Sequence, residues 1–146
     1  GHAALFFGAD ISDAYIRYAT KHRHSNIQFT AANAEKLPYA DQSMDVVTSV
    51  YLFHELPRKV RRQVMSEIAR VLKPGGLLVI EDSAQKLESA DIEPVLTRFP
   101  IEFHEPYYPD YIKDPFENWV SGAGFESMAS ERCFVAKIVT ATRQAA

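Results

Sequence analysis

The chain has 146 residues, 47% of them hydrophobic and 24% charged, with a net charge of −3. That length suits one domain better than two independent cores, and an aromatic content of 12% gives it more surface to bury than a disordered chain carries. The mild acidity argues against the basic footprint of a nucleic-acid binder, the single cysteine excludes an internal disulfide framework and a cysteine-based zinc site, and no apolar run reaches the ~20 residues of a membrane-spanning helix.

Short apolar runs alternate with helical stretches, the order that a parallel α/β sheet produces. Ala4 to Ala9 is predicted as a buried strand closed by Asp10. Ser12 is placed to cap the following helix, with Asp13 in its first turn and Tyr15, Tyr18 and Ala19 on one side. Ile27 to Ala31 is a second strand, and Asn33 to Tyr39 a loop. Met44 to Val50 is a third strand, nearly all apolar after Asp45, as a strand covered on both faces should be.

Pro57 opens a helix where a proline costs nothing, and Val60, Val64, Ile68, Val71 and Leu72 form its sheet-facing stripe. The basic residues Arg58, Lys59, Arg61 and Arg62 on that helix are expected to form a solvated face. Lys73-Pro74-Gly75-Gly76 stops the helix, Leu77 to Ile80 is the next strand, and Asp82 lies just past its carboxyl end. Asp91 to Phe99 is a short helix, Phe103 to Tyr111 a Pro- and Tyr-rich loop, and Pro115 to Ser121 a helix ended by Gly122-Ala123-Gly124. Phe125 to Thr142 is predicted as two strands turning near Glu131-Arg132, with Cys133 a buried thiol. Such a terminal hairpin extends an α/β sheet and is no second domain, so residues 1–146 are expected to form a single domain.

Open parallel sheets bind ligands beyond the carboxyl ends of their strands. Asp10, the Asn33-Ala34-Glu35 loop and Ser49 with its successors all fall there. A carboxylate at such a strand end can accept from both hydroxyls of a ribose, and a short loop with an amide and free N–H groups can read an adenine edge. Each feature also has a plainer explanation: Asp10 as a helix cap, Asn33 as an Asx-turn.

Together, the run Gly8-Ala9-Asp10-Ile11-Ser12, the stretch from Ala32 to Val47, His54-Glu55-Leu56, and the stretch from Glu67 to Leu78 resemble class I S-adenosylmethionine-dependent methyltransferases. The nearest likeness is to the small-molecule branch that includes the ubiquinone and menaquinone biosynthesis enzymes. The resemblance implies a Rossmann-like α/β sheet and S-adenosylmethionine as cofactor. Asp10 would bind the ribose, Ile11 would pack on the adenine, Asn33 and the N–H of Ala34 would meet its edge, and backbone at Ser49 and Val50 would border the methionine portion. His54 lies just past the third strand, where an acceptor would sit, and is a candidate base for a hydroxyl or acidic carbon; the alternative is a structural histidine. His104, Tyr107, Tyr108 and Tyr111 are candidates for an aromatic lid over a small-molecule acceptor, or for packing. Ser49-Val50-Tyr51-Leu52 stands where enzymes methylating nucleic-acid amines carry an Asn/Asp-Pro-Pro-aromatic motif, so that substrate class is not expected. No metal site is expected.

The family's first strand and Gly-rich turn have no counterpart ahead of Ala4, so the sheet is expected to be incomplete. An incomplete sheet with exposed strand edges predicts a chain that binds the cofactor weakly and self-associates as a homo-oligomer. Two other readings compete: a non-catalytic, self-associating fragment, and a dinucleotide-dependent oxidoreductase, in which Asp10 would serve a ribose equally well. A cytoplasmic location is expected.

Overall fold

A computed structural model describes residues 4–23, 26–86 and 90–145. Its internal contacts divide the chain into two compact units, Gly1–Tyr39 and Ala40–Ala146.

The first unit is a strand–helix–strand crossover. β1 (Phe6–Asp10) and β2 (Ile27–Ala31) pair in parallel, from Phe6 opposite Ile27 to Asp10 opposite Ala31. Two parallel neighbours require a crossover connection, supplied here by α1 (Asp13–His22). Ser12 caps α1 by accepting the Tyr15 N–H, with Asp13 in the first turn and Lys21 and His22 in the last, each complementing the helix dipole. Ile16 and Ala19 form the more sheltered side of α1, while Tyr15 and Tyr18 are exposed, so the expected Tyr15–Tyr18–Ala19 face is corrected. Gly8 sits opposite Phe29, and a Cβ there would stand 2.4 Å from the Phe29 ring; the missing side chain is what lets that ring lie across β1.

The second unit is a four-stranded sheet with helices packed on it. β3 (Met44–Val50) runs parallel to β4 (Leu72–Ser83), β6 (Ala136–Arg143) is antiparallel to β4, and β5 (Phe125–Cys133) is antiparallel to β6, giving the order β3-β4-β6-β5. α2 (Arg58–Val71) connects β3 to β4 and buries Val64, Ile68 and Val71 with Met65, close to the expected stripe, although Val60 is only half-buried. α3 (Glu93–Glu102), the one-turn α4 (Tyr108–Tyr111) and α5 (Phe116–Gly122) fill the chain between β4 and β5. Phe53, Phe116 and Trp119 form an aromatic core, with Phe116 and Trp119 stacked at 4.4 Å and Phe53 edge-on to Trp119 at 5.1 Å.

Several sequence expectations are corrected here. β4 is longer than Leu77 to Ile80: it begins at Leu72 and runs to Ser83, so Asp82 lies inside the strand and not past it. Lys73-Pro74-Gly75-Gly76 is an irregularity within β4, since the register jumps from Met44 opposite Leu72 to Val46 opposite Leu77. Gly75 there takes φ +76, and a Cβ on Gly76 would stand 2.9 Å from the Lys73 carbonyl and 3.1 Å from that of Asp45. The terminal hairpin turns at Phe134-Val135, not at Glu131-Arg132, with Phe134 at φ 55. Cys133, at that turn, is exposed and not buried. The basic residues of α2 do not form a uniformly solvated face. Arg61 is fully buried and pairs with Asp110 and Asp114, while Arg58 reaches Asp110 and Arg62 reaches Asp114. The α4–α5 segment covers this side of α2, so its carboxylates must meet the guanidinium that it buries.

Candidate functional site

In the first unit, β1 and β2 finish together: the Ala32 N–H donates to the Asp10 carbonyl at 2.9 Å. Parallel pairing thus brings the Asp10-Ile11 and Asn33-Ala34 segments side by side at the carboxyl end of the strand pair. One carboxylate oxygen of Asp10 accepts the Ser12 N–H at 2.7 Å. Asp10 therefore helps start α1, and its second oxygen has no partner among the described residues. Asn33 forms the Asx-turn, its Oδ1 accepting the Glu35 N–H at 2.8 Å. Ile11 is 76% exposed beside them.

In the second unit, Ser49 and Val50 occupy the carboxyl end of β3, opposite Ile80 and Glu81 of β4. Ser49 is buried, and its Oγ has no hydrogen-bond partner among the described residues. A buried hydroxyl without a partner is uncommon and suits a site that a polar ligand completes.

A buried, hydrogen-bonded polar constellation lies just beyond. The chain leaves β3 through Tyr51, at φ 49, and enters a single 3-10 turn, Phe53–Glu55. This turn places His54, 7% exposed, against Asp82, which is fully buried near the end of β4. His54 Nδ1 meets Asp82 Oδ1 at 2.7 Å, Asp82 Oδ2 accepts the Phe53 N–H at 2.7 Å, and Oδ1 also accepts the Ser83 N–H at 2.8 Å. A carboxylate can only accept, so neutral His54 carries its proton on Nδ1 and presents a lone pair on Nε2. Burial pulls the His54 pKa down; the Asp82 hydrogen bond and charge, joined by Glu55 and Glu105, outweigh it and hold the imidazole above its ordinary value.

Aromatic rings fence this imidazole. Tyr51, Tyr108 and Tyr111 stand edge-on to it at 6.1, 5.8 and 6.1 Å. Tyr108 is buried, with its hydroxyl bonded to Ser83 Oγ, and the Tyr111 hydroxyl donates to the Ser83 carbonyl. Burial raises the Tyr111 hydroxyl well above its ordinary pKa. Of the four candidate lid residues, Tyr108 and Tyr111 thus pack on His54, while Tyr107 and His104 stay at the surface. The ion pairs from Arg58, Arg61 and Arg62 to Asp110 and Asp114 hold this tyrosine-bearing segment against α2. Gln85 adds to them by donating to the Tyr111 and Asp114 carbonyls and accepting the Phe116 N–H.

Sequence reasoning missed Asp82 as His54's partner, although an acid ending an apolar strand was a visible signal. Ser83 and Gln85 carried no such signal. For the cofactor that the sequence resemblance implies, the residues fit: a carboxylate oxygen of Asp10 is open to ribose hydroxyls, and Ile11 is exposed next to it. Within the second unit, taken by itself, Ser49 Oγ is a buried polar atom that lacks a partner among the described residues.

Comparison with known proteins bears on this geometry. A family model described as a methyltransferase domain matches residues 1–80. The phthiotriol/phenolphthiotriol dimycocerosates methyltransferase of Mycobacterium tuberculosis is 36% identical over 101 residues, covering 68% of this chain and 37% of that protein. The ubiquinone/menaquinone biosynthesis C-methyltransferase UbiE of Ectopseudomonas mendocina is 41% identical over 81 residues, covering 51% of this chain and 31% of that protein. The chain thus spans well under half the length of these relatives. Among solved structures, human N-acetylserotonin methyltransferase in complex with S-adenosylmethionine superimposes with a TM-score of 0.75 at 15% identity, over 97% of this chain and 41% of that one. An S-adenosylmethionine-dependent methyltransferase of Methanosarcina mazei does so with a TM-score of 0.70 at 19% identity, over 96% of this chain and 82% of that one. The fold is therefore the Rossmann-like α/β fold of those enzymes, and the chain belongs to the class I S-adenosylmethionine-dependent methyltransferase family.

Proposed function

We propose that the protein transfers a methyl group from S-adenosylmethionine to a small-molecule acceptor whose reacting atom is a hydroxyl oxygen or an acidic carbon. The observation that carries this reading is the His54–Asp82 pair at the carboxyl ends of β3 and β4. When bound, S-adenosylmethionine supplies an electrophilic methyl group whose bonding pair stays on sulfur as the acceptor attacks. Asp82 holds the His54 ring in the tautomer that leaves Nε2 able to take the acceptor's proton. Tyr108 and Tyr111 limit the ring's rotation and shelter it from water. Asp10 would hold the ribose, Ile11, Asn33 and Ala34 the adenine, Ser49 and Val50 the methionine side, and Tyr107 the acceptor. The family match decides against the dinucleotide-dependent oxidoreductase.

The experiment is transfer of labelled methyl from S-adenosylmethionine to a panel of hydroxyl and carbon-acid acceptors, with His54→Gln beside the wild type. A base at this position is worth ~10²–10⁴ in rate. The variant should lose that factor while its S-adenosylhomocysteine affinity is unchanged. A variant that transfers at the wild-type rate would overturn the assignment. Two further elements complete the reading. Among the described residues of the second unit β3 is an outer strand, and such a strand supports pairing between copies of the chain, which light scattering over a concentration series tests. The exposed thiol of Cys133 suits a reducing compartment and supports a cytoplasmic location, and among the described residues no helix is long and apolar enough to cross a membrane.

A further inference from the structure

The 3-10 turn after β3 carries the neighbours His54 and Glu55, and the loop after α3 brings Glu105, some fifty residues later, to them. The ligating atoms of His54, Glu55 and Glu105 all lie within 4.8 Å of one another. Donors at about 2.0–2.2 Å from a common ion are at most ~4.4 Å apart, so a small rotation of exposed Glu55 closes the set. Among the described residues neither glutamate has a cationic partner, which leaves two carboxylates uncompensated next to an imidazole. His54 is more than nine-tenths buried, and with Nδ1 committed to Asp82 its Nε2 has no partner among the described residues. A carboxylate behind a histidine is the arrangement that fixes tautomer and ring orientation in metal-ligating histidines. Asp82 is itself held by the Phe53 and Ser83 N–H groups, so the orienting group is rigid.

We propose that His54, Glu55 and Glu105 bind one divalent transition-metal ion, with His54 Nε2 as its nitrogen ligand. One imidazole with two carboxylates suits Mn²⁺ or Zn²⁺ better than Mg²⁺ or Ca²⁺, which prefer oxygen-only shells. Three protein donors leave positions open for water or for an oxygen acceptor. A bound ion takes the same lone pair that would receive a proton, so a filled site exchanges a base for a Lewis acid. The site shares His54 with the proposed reaction, but its existence requires neither cofactor nor acceptor. A sequence reading expects no metal here because Glu55 and Glu105 stand far apart along the chain.

The test is direct ion binding, with Mn²⁺ followed by paramagnetic resonance and Zn²⁺ and Mg²⁺ by calorimetry. The wild type should take up one Mn²⁺ or Zn²⁺ per chain, with Mg²⁺ much weaker. Glu105→Gln and Glu55→Gln should each weaken binding at least ~10-fold, the scale on which metal sites respond even to loss of a supporting partner. Both glutamates lie outside the core, so urea unfolding followed by Trp119 fluorescence should be the same as wild type without metal. Failure to bind Mn²⁺ or Zn²⁺ at millimolar concentration, or binding that both substitutions leave unaltered, would overturn the proposal. Neither result bears on methyl transfer, which the His54→Gln assay reads separately.

Discussion

Replacing Asp82 by Asn should destabilise the second unit by about 2–4 kcal/mol, a value worked from three hydrogen bonds. The carboxylate serves His54 Nδ1 and the Ser83 N–H with one oxygen and the Phe53 N–H with the other. An amide has only one oxygen. Kept toward His54 and Ser83, it turns its NH₂ on the Phe53 N–H, and a buried donor without an acceptor costs ~1–3 kcal/mol. The two surviving bonds pass from charge-assisted to neutral, losing roughly half their strength. Flipping the amide instead would strand two donors, which is worse. Trp119 is the only tryptophan, is buried and lies 5.1 Å from the Phe53 ring, so its fluorescence in urea reads the affected core. A loss of ~3 kcal/mol corresponds to a fall of roughly 6–12 °C in melting temperature for a chain of this size. Asp45→Asn is the control: its bond to Lys73 at 2.7 Å joins two exposed side chains, and such pairs are worth ~0–1 kcal/mol. Equal effects of the two substitutions would refute the reasoning, because burial and three donors would then count for nothing.

Asp10→Ala should weaken S-adenosylhomocysteine binding tenfold or more in calorimetry, since each ribose hydrogen bond to a carboxylate is worth ~1.5–3 kcal/mol; an unchanged affinity would leave Asp10 only its Ser12 contact at the start of α1. Gly75→Val meets open space but must hold φ +76, and Gly76→Val drives a side chain into two carbonyl oxygens. Both should lower the melting temperature while leaving the folded fraction's ligand affinity alone, because they sit toward the start of β4, away from the strand's carboxyl end; a normally melting mutant that loses binding would contradict this. The Arg58 hydrogen bond, with the nearby Arg61, holds the Asp110 pKa below its ordinary value against the opposing effect of burial. A folded-state pKa below the unfolded one stabilises above the ordinary carboxylate value of about 3.9, and that contribution is lost as pH falls through the folded pKa. The stability gap between wild type and Asp110→Asn should therefore be full at pH 6 and shrink below about pH 4 in urea titrations; a gap that widens in acid would show the sign to be wrong.

The sequence by itself placed β1, β2, β3 and α2 within a residue or two, because their cues are local: apolar runs ending in Asp10 or Ala31, a proline at the mouth of α2, and a stripe at helical spacing. Its motifs also carried the family. It misplaced the terminal hairpin's turn because Glu131, Arg132, Cys133 and Phe134 hold no strong turn former, and the position was settled by β6 pairing with β4 along Leu77 to Ser83. Arg61 reads as solvated when only α2 is considered; it is buried because Asp110 and Asp114, some fifty residues later, fold over it. The same holds at the site. His54 is legible as a polar residue past a strand, but its tautomer, its raised pKa and its neighbours Asp82, Tyr108 and Tyr111 arise only when β4 lies beside β3 and α4 packs on His54 and Ser83. Local propensity and periodicity are short-ranged and written residue by residue, whereas burial and charge pairing depend on groups that only the folded chain brings within a few ångströms.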